Sequence, residues 1–401
     1  MTTTWLPVPA GSPFGIDNLP YGAVEWPGHQ RPRVAVPIGD SVLDLAGALE
    51  RVSGDLAFLV RGPSLDHLLG AGPEAWSALR ATLAHLLTDE RHREVVEPAL
   101  LPRDQVRPVL PFTVADYVDF YSSEQHASAM GRMLRPGTPP LPPNWKHLPI
   151  GYHGRAGTVA VSGTDVVRPR GQLKRPDGPV YGPSQRLDIE AEVGFVVGTP
   201  SVLGTPVPTV AWRQHVFGVV LVNDWSARDI QAWEAQPLGP FLAKSFLTSV
   251  SPWVVPLAAL EDALVPPPAQ DPGPMDYLLP PGQGLALQLE VRLNGHVVSR
   301  PPAADLYWTP AQQLAHLTVN GASLRTGDLF ASGTVSGAGP DQRGSLMELT
   351  SNGTEPLRLP DGQTRGFLQD GDTVTISATA PGPGGSVIGF GEVTGTVVPA
   401  G

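Results

Sequence analysis

Asp119, Glu190, Glu192 and Asp224 are the side chains whose types and spacing point most directly to chemistry. Glu190-Ala191-Glu192 lies in the mostly apolar run Leu187 to Phe195. In a strand, residues two apart share a face, so this spacing aims both glutamates at one point while Ala191 and Val193 face the other way. Two carboxylates held that close repel each other unless a cation compensates them. Asp119 and Asp224 come from two further segments suited to holding a ligand, and the four acids read as converging on one divalent cation. Alone, a Glu-x-Glu strand is also compatible with a solvated face carrying two acids by chance. The neighbouring residues separate the two readings.

The first neighbour is a histidine. In Asp119-Phe120-Tyr121-Ser122-Ser123-Glu124-Gln125-His126, Ser122 with Gln125 three residues later has the pattern of a capping box, and Ala127, Met130, Met133 and Leu134 follow at helical spacing. This places Asp119 just before a helix and His126 about one turn into it. A histidine there can accept a proton from water, provided that its other ring nitrogen is oriented; a polar residue satisfied near a helix start is the alternative.

The second cluster is Val222-Asn223-Asp224-Trp225-Ser226-Ala227-Arg228-Asp229-Ile230-Gln231. An apolar strand, Phe217 to Val222, delivers Asp224 at its end, where functional residues are commonly exposed at a rim. A helix starting here would put Arg228 and Gln231 on the face of Asp224. Lys244 follows in the otherwise uncharged stretch Leu238 to Phe246. An ammonium there is costly unless it faces a carboxylate or an anion. Donors of this kind beside a cation suit stabilisation of an oxyanion or enolate.

The elements that must position these groups are mostly strands. Residues 1 to about 50 give short extended runs such as Arg33 to Ile38, broken by Gly and Pro, the pattern of a small barrel. Pro73 to Thr88 reads as a helix with Trp76, Leu79, Leu83, Leu86 and Leu87 as its core face. Arg103 to Pro111 lacks a period and contains two prolines, so a linker is placed there. The domains are then 1–110 and 111–401. In the second, strand-like runs recur at 157–168, 187–197, 216–222, 285–293 and 373–380.

Composition sets outer limits. With 401 residues the chain is long for one domain, and 41% apolar residues suffice for a sizeable core. The 45 glycines and 46 prolines are interleaved with apolar residues, as in a loop-rich β protein. A net charge of −11 without a long basic run argues against nucleic acid and anionic membranes as partners. The absence of cysteine excludes disulfides, thiolate metal sites and cysteine nucleophiles. The start Met1 to Pro7 lacks a charged and then apolar leader, and no run of 18 apolar residues occurs, so a soluble cytoplasmic protein is expected.

Four long motifs then point to a family. Asp116 to Ser123, Leu141 to Arg155, Asn223 to Gln231 and Ala331 to Gly337, with the opening Phe14 to Gly22, resemble the fumarylacetoacetate hydrolase family over most of the chain. The resemblance implies a mainly β, α+β fold, with a small SH3-like N-terminal barrel and a larger C-terminal domain of mixed β sheets forming a sandwich-like roll. It implies a homodimer. It assigns Asp119, Glu190, Glu192 and Asp224 as ligands of Ca²⁺ or Mg²⁺, a choice that oxygen-only ligands favour on general grounds. A second, structural cation position maps near Asp224, Lys244 and Thr248. Glu348, which nothing local distinguishes, maps onto the carboxylate that orients His126.

The activity so implied is hydrolysis of a carbon–carbon bond in a β-diketone that carries a carboxylate at each end. His126, held by Glu348, would take a proton from water, while Arg228, Gln231 and Lys244 would hydrogen-bond the oxyanion and the enolate. Tyr121, Arg135 and Tyr152 would bind a substrate carboxylate, and Gln231 and Thr334 would also contact substrate. The chain departs from the family pattern at Ala235, in place of a substrate-contacting tyrosine, and at Leu247, in place of a glycine near the second cation. Two other readings stay open: an acylpyruvate hydrolase, 2-oxo-acid decarboxylase or dienoate isomerase of the same superfamily, and a non-catalytic calcium-binding β protein. The long N-terminal part favours the first reading over the second, and the basic donors beside the acids count against the third.

Overall fold

Strands Ala191–Val197 and Val216–Asp224 are buried along their whole length, so their apolar runs must be covered on both faces. A computed structural model, describing residues 3–401, shows what covers them. The two strands pair antiparallel at the centre of a 13-stranded sheet. From there the sheet runs one way through Leu329–Ala331 and Tyr117–Phe120 to Gly151–His153, and the other way through Trp253–Pro256 to Tyr21–Glu25, Arg33–Ile38, Ser41–Asp44 and Leu100–Pro102.

Period-two alternation sorts the side chains. Phe195, Val197, Val219 and Leu221 pack on one face against Leu289, Val291, Ile376 and Phe390 of a second, five-stranded sheet. Val196, Val220, Val222 and Ala331 point to the opposite face and share a core with Leu68, Leu69, Leu79, Leu83, Leu86 and Leu87 of the N-terminal part. The helix expected over Pro73–Thr88 has the expected bounds, and its buried residues are Leu79, Leu83, Leu86 and Leu87. Trp76 is only part-buried, its indole N–H donating to the carbonyl of Leu68 at 2.8 Å. The fold is mixed α+β with large sheets.

Three local expectations are corrected. Ser123, not Ser122, caps the helix Glu124–Leu134, its hydroxyl accepting from the His126 main-chain N–H at 3.2 Å; Gln125 takes no part in a capping box. Ser122 is buried instead, where its hydroxyl accepts from Gln313 Nε2 at 2.7 Å. The segment placed as a linker contains strand Arg107–Val109, which pairs with Tyr21–Glu25; Pro108 is tolerated because this short strand lies at a sheet edge. Asp224 ends its strand and does not join the helix, which runs Arg228–Glu234 after the short strand Ser226–Ala227. Among the described residues, no helix is long and apolar enough to cross a membrane.

Candidate active site

The same alternation that buries Val196 and Val222 brings the acids together. Asp119 stands in strand Tyr117–Phe120, Glu192 in Ala191–Val197 with Glu190 just before it, and Asp224 at the end of Val216–Asp224. Register fixes their neighbours: Asp119 lies opposite Tyr152 and Ala331, Glu192 opposite Val222, and Asp224 opposite Thr248. All four carboxylates are buried, and one oxygen from each lies within 4.8 Å of the others.

That arrangement is electrostatically incomplete as protein alone. Burial first, and then Asp224, push the Asp119 carboxyl well above its ordinary range; burial and the charges of Asp119 and Asp224 do the same to Glu192. Asp224 is raised too, chiefly by burial, which the Lys244 ammonium opposes. Glu190 is the exception: burial acts against it, but Arg228 and Lys244 outweigh that and hold it low. Lys244 Nζ donates to Glu190 and, at 2.6 Å, to Asp224 Oδ2. Asp119 Oδ1 and both oxygens of Glu192 are buried with no hydrogen-bond partner among the described residues. Unpaired acceptors around an oxygen-only cluster fit a hard divalent cation. Asp119, Glu190, Glu192 and Asp224 are the residues that could hold it.

His126 projects from the first turn of its helix and places Nδ1 2.6 Å from Glu348 Oε2. Ser336 and Ser345 hydroxyls donate to the same oxygen at 3.0 and 2.9 Å. Burial opposes ionisation of Glu348, but the interaction with His126 and these donors keeps its carboxyl below the ordinary value. An ionised Glu348 accepts a hydrogen bond from Nδ1–H, which leaves the Nε2 lone pair directed at the site, 3.8 Å from Glu190 Oε1.

One residue that sequence reasoning passed over ties these parts together. Asp188 is fully buried and accepts from Arg228 Nε at 2.8 Å and from the main-chain N–H groups of Leu346 and Met347 at 2.7 and 3.1 Å. It therefore anchors both Arg228 and the helical turn Leu346–Leu349 that carries Glu348. A lone aspartate inside the apolar run Leu187-Asp188-Ile189 was the available signal, since such a group requires partners. Arg228 Nη2 donates to Glu190 Oε1 at 2.7 Å and Nη1 to Gln231 Oε1 at 3.2 Å.

A cavity of about 380 Å³ collects Asp119, Tyr121, His126, Tyr152, Glu190, Glu192, Arg228, Gln231, Lys244 and Thr334. Thr334 reaches it because Gly333 turns the chain with φ +74°, where a Cβ would strike the Phe120 carbonyl oxygen at 2.1 Å. Arg135 is outside this cavity. It caps the helix end, is exposed, donates to the Pro140 carbonyl at 3.1 Å, and lines an adjoining 490 Å³ space with Tyr121, Gln231 and Ala235. Tyr152 is turned inward, donating to Asp224 Oδ2 at 3.1 Å. Thr248 likewise donates to Asp224, Oγ1 to Oδ1 at 3.1 Å, and Leu247 beside it is buried in the core. As an ammonium, Lys244 offers no lone pair to a metal; its side chain is itself the cation between Glu190 and Asp224.

Known proteins resemble this chain from end to end. A fumarylacetoacetase from Homo sapiens is 46% identical to the chain, with 99% of each covered. One from Arabidopsis thaliana is 43% identical, over 99% of this chain and 98% of the relative. Among solved structures, a fumarylacetoacetate hydrolase from Exiguobacterium antarcticum matches with a TM-score of 0.57 at 17% identity, covering 95% of this chain and 99% of that one, a likeness of fold. Residues 17–111 match the family described as Fumarylacetoacetase N-terminal, and residues 116–398 that described as Fumarylacetoacetate (FAA) hydrolase C-terminal. With relatives aligned end to end and both family halves matched in order, the chain belongs to the fumarylacetoacetate hydrolase family.

Proposed function

We propose that this chain hydrolyses 4-fumarylacetoacetate to fumarate and acetoacetate, the last step of tyrosine and phenylalanine breakdown, with Ca²⁺ or Mg²⁺ held by Asp119, Glu190, Glu192 and Asp224. The observation that carries the reading is the His126–Glu348 pair, 2.6 Å apart, opening on the same cavity as the four acids. Identity of 46% to a fumarylacetoacetase along the whole chain supports the substrate. When bound, the divalent cation supplies Lewis-acid polarisation of diketone oxygens.

The chain's own groups do the rest. His126 Nε2 removes a proton from water as its oxygen adds to the carbonyl carbon. The carbon–carbon bond then breaks, its electron pair leaving with the acetoacetate fragment as an enolate, which takes up a proton to give the ketone. Arg228, Gln231 and Lys244 hydrogen-bond the tetrahedral oxyanion and the enolate; each such donor contributes about 3 kcal/mol, roughly a hundredfold in rate. Tyr121 and Arg135 receive a substrate carboxylate across the adjoining space, which both line. Thr334 contacts the substrate from its loop, and Tyr152, through Asp224, positions a ligand of the cation.

The proposal extends to a second cation near Asp224 and Thr248 bound through main-chain carbonyls, to a homodimer, and to a cytoplasmic location. It includes the division into domains 1–110 and 111–401 and a barrel-like N-terminal part, supported by the family boundary between residues 111 and 116 and by the antiparallel run of strands from Tyr21 to Pro102. Ala235 leaves open space beside Arg135, which favours a wider range of acids at that end, acylpyruvates included.

Protein dialysed against chelator, then given Mg²⁺ or Ca²⁺, should consume fumarylacetoacetate, read as loss of diketone absorbance, and His126→Ala should not. Cation-independent turnover, or full activity of His126→Ala, would refute the mechanism. Turnover of acylpyruvates alone would shift the assignment to an acylpyruvate hydrolase.

A further inference from the structure

His85, Asp89 and His92 form a second cluster, and none of them lines the cavity that holds the four acids. His85 lies in the last turn of helix Pro73–Thr88, Asp89 follows in extended conformation, and the 3₁₀ turn Glu90–His92 folds His92 back over His85. The two rings meet edge to face with centroids 4.8 Å apart, and their Nε2 atoms are 3.1 Å from each other. A carboxylate oxygen of Asp89 joins them, all three donor atoms lying within 4.8 Å. Two imidazole nitrogens turned toward each other at this separation need a proton or a cation between them.

We propose that His85, Asp89 and His92 bind a divalent transition-metal ion of the zinc and nickel class. With metal–nitrogen bonds of about 2.05 Å, a nitrogen separation of 3.1 Å corresponds to an angle of about 100° at the metal, close to tetrahedral. The third ligand, an Asp89 oxygen within 4.8 Å of both nitrogens, closes by a side-chain shift, and water completes the shell. Imidazole selects such ions over Mg²⁺ and Ca²⁺, which separates this site from the oxygen-only cluster. Arg91 is the competitor: its main-chain N–H and Nε each donate to Asp89 Oδ1 at 3.0 Å, and Nε and Nη2 to Oδ2 at 3.0 and 2.6 Å. The bound metal must share Asp89 with that guanidinium, which weakens the site relative to a closed structural zinc site. Binding staples the end of the helix to the turn after it.

The test is calorimetric titration of Zn²⁺ into the full chain with Mg²⁺ saturating, alongside His85→Ala, His92→Ala and Arg91→Ala. Wild-type protein should bind one Zn²⁺ that each histidine variant weakens at least tenfold, while Arg91→Ala tightens it severalfold by releasing the carboxylate. Cu²⁺ in the same site should show nitrogen hyperfine splitting in its electron paramagnetic resonance spectrum, lost in His92→Ala. Identical isotherms for wild type and both histidine variants, or weaker binding in Arg91→Ala, would overturn the proposal.

Discussion

Replacing Asp188 by asparagine probes the joint between fold and chemistry. Oδ1 of Asp188 accepts from the N–H groups of Ile189 and Leu346, and Oδ2 from Arg228 Nε and the N–H of Met347. An amide has one acceptor oxygen, so whichever way it is turned, two donors face an NH₂ group in a buried site. Two such losses cost about 1–3 kcal/mol each. Removing one partner of a buried ion pair costs about 3–5 kcal/mol, moderated here because Arg228 keeps Glu190 at 2.7 Å. The two costs describe overlapping contacts and do not add, so a net loss of about 4 kcal/mol follows. With an unfolding entropy of about 2.1 cal/mol/K per residue over 401 residues, that lowers Tm by about 5 °C if the chain melts as one unit.

The kinetic effect of Asp188→Asn should be larger than its thermal effect suggests. Arg228, the proposed oxyanion donor, loses the anchor of its Nε, and the turn Leu346–Leu349 loses the acceptor at its first two N–H groups, so Arg228 and the Glu348 carboxylate paired with His126 both drift. One misplaced donor alone lowers kcat roughly a hundredfold. The expected result is a fall in kcat of about 10²–10³, with KM within about threefold, because these groups act on the transition state rather than on ground-state binding. Steady-state kinetics on fumarylacetoacetate and calorimetric melting measure the two effects. A lowered Tm with unchanged kcat would make Asp188 a purely structural group and refute the coupling.

Four further outcomes are expected. Glu348→Gln should lower kcat by about 10²–10⁴ while leaving cation affinity within threefold, as for a group that acts through the general base; a large loss of cation affinity measured by calorimetry would place Glu348 among the ligands. Chelation should destabilise the protein increasingly as pH rises: Asp119, Glu192 and Asp224 have raised folded-state values, so cation-free protein retains protons that the unfolded chain sheds near pH 4, and stability falls as pH climbs from there through those values. Mg²⁺ at a hundred times its Kd restores about 2.7 kcal/mol, and melting curves from pH 5 to 8 in which its effect shrinks with pH would contradict this. Asp372, buried and held below its ordinary range by Arg365 and Asn294 against the effect of burial, contributes above pH 4 and loses that contribution as pH falls through its lowered value. Asp372→Asn should therefore cost about 2 kcal/mol near neutrality and less toward pH 3 in denaturant titrations. Phe217→Ala, which removes edge contacts to Tyr21 at 5.5 Å and Trp76 at 5.2 Å, should cost about 3–5 kcal/mol and shift one common transition; two separate transitions by calorimetry would show independent halves.

How far the residues disclosed themselves depended on the range of the interaction. Glu190 and Glu192 were legible because strand periodicity is local, and Asp119 and His126 because a helix start lies between them. Glu348 was reached only through the family resemblance: four residues of helical turn carry no sign of a partner 222 positions away. Asp188 escaped notice because its meaning lies in Arg228 and Leu346, which only the tertiary structure brings near. The capping residue was misplaced by one because Ser122 and Ser123 are equivalent in type, and burial against Gln313 decides between them. The segment Arg103 to Pro111 looked like a linker because its pairing partner, Tyr21–Glu25, is about 80 residues away.

The shared sheet face has a consequence for inherited variation. Tyr117, Val196, Val220, Val222 and Ala331 lie on the face that presents Asp119, Glu192 and Asp224, and the layer over them is built from leucines of the N-terminal part. That layer is the insulation beneath a cluster of charges. A substitution in it that lets water under the sheet raises the local dielectric, weakens the repulsion among the acids, and with it their appetite for a cation. Changes dozens of residues from any catalytic group can thus reach the reaction as electrostatics, without moving a single reacting atom.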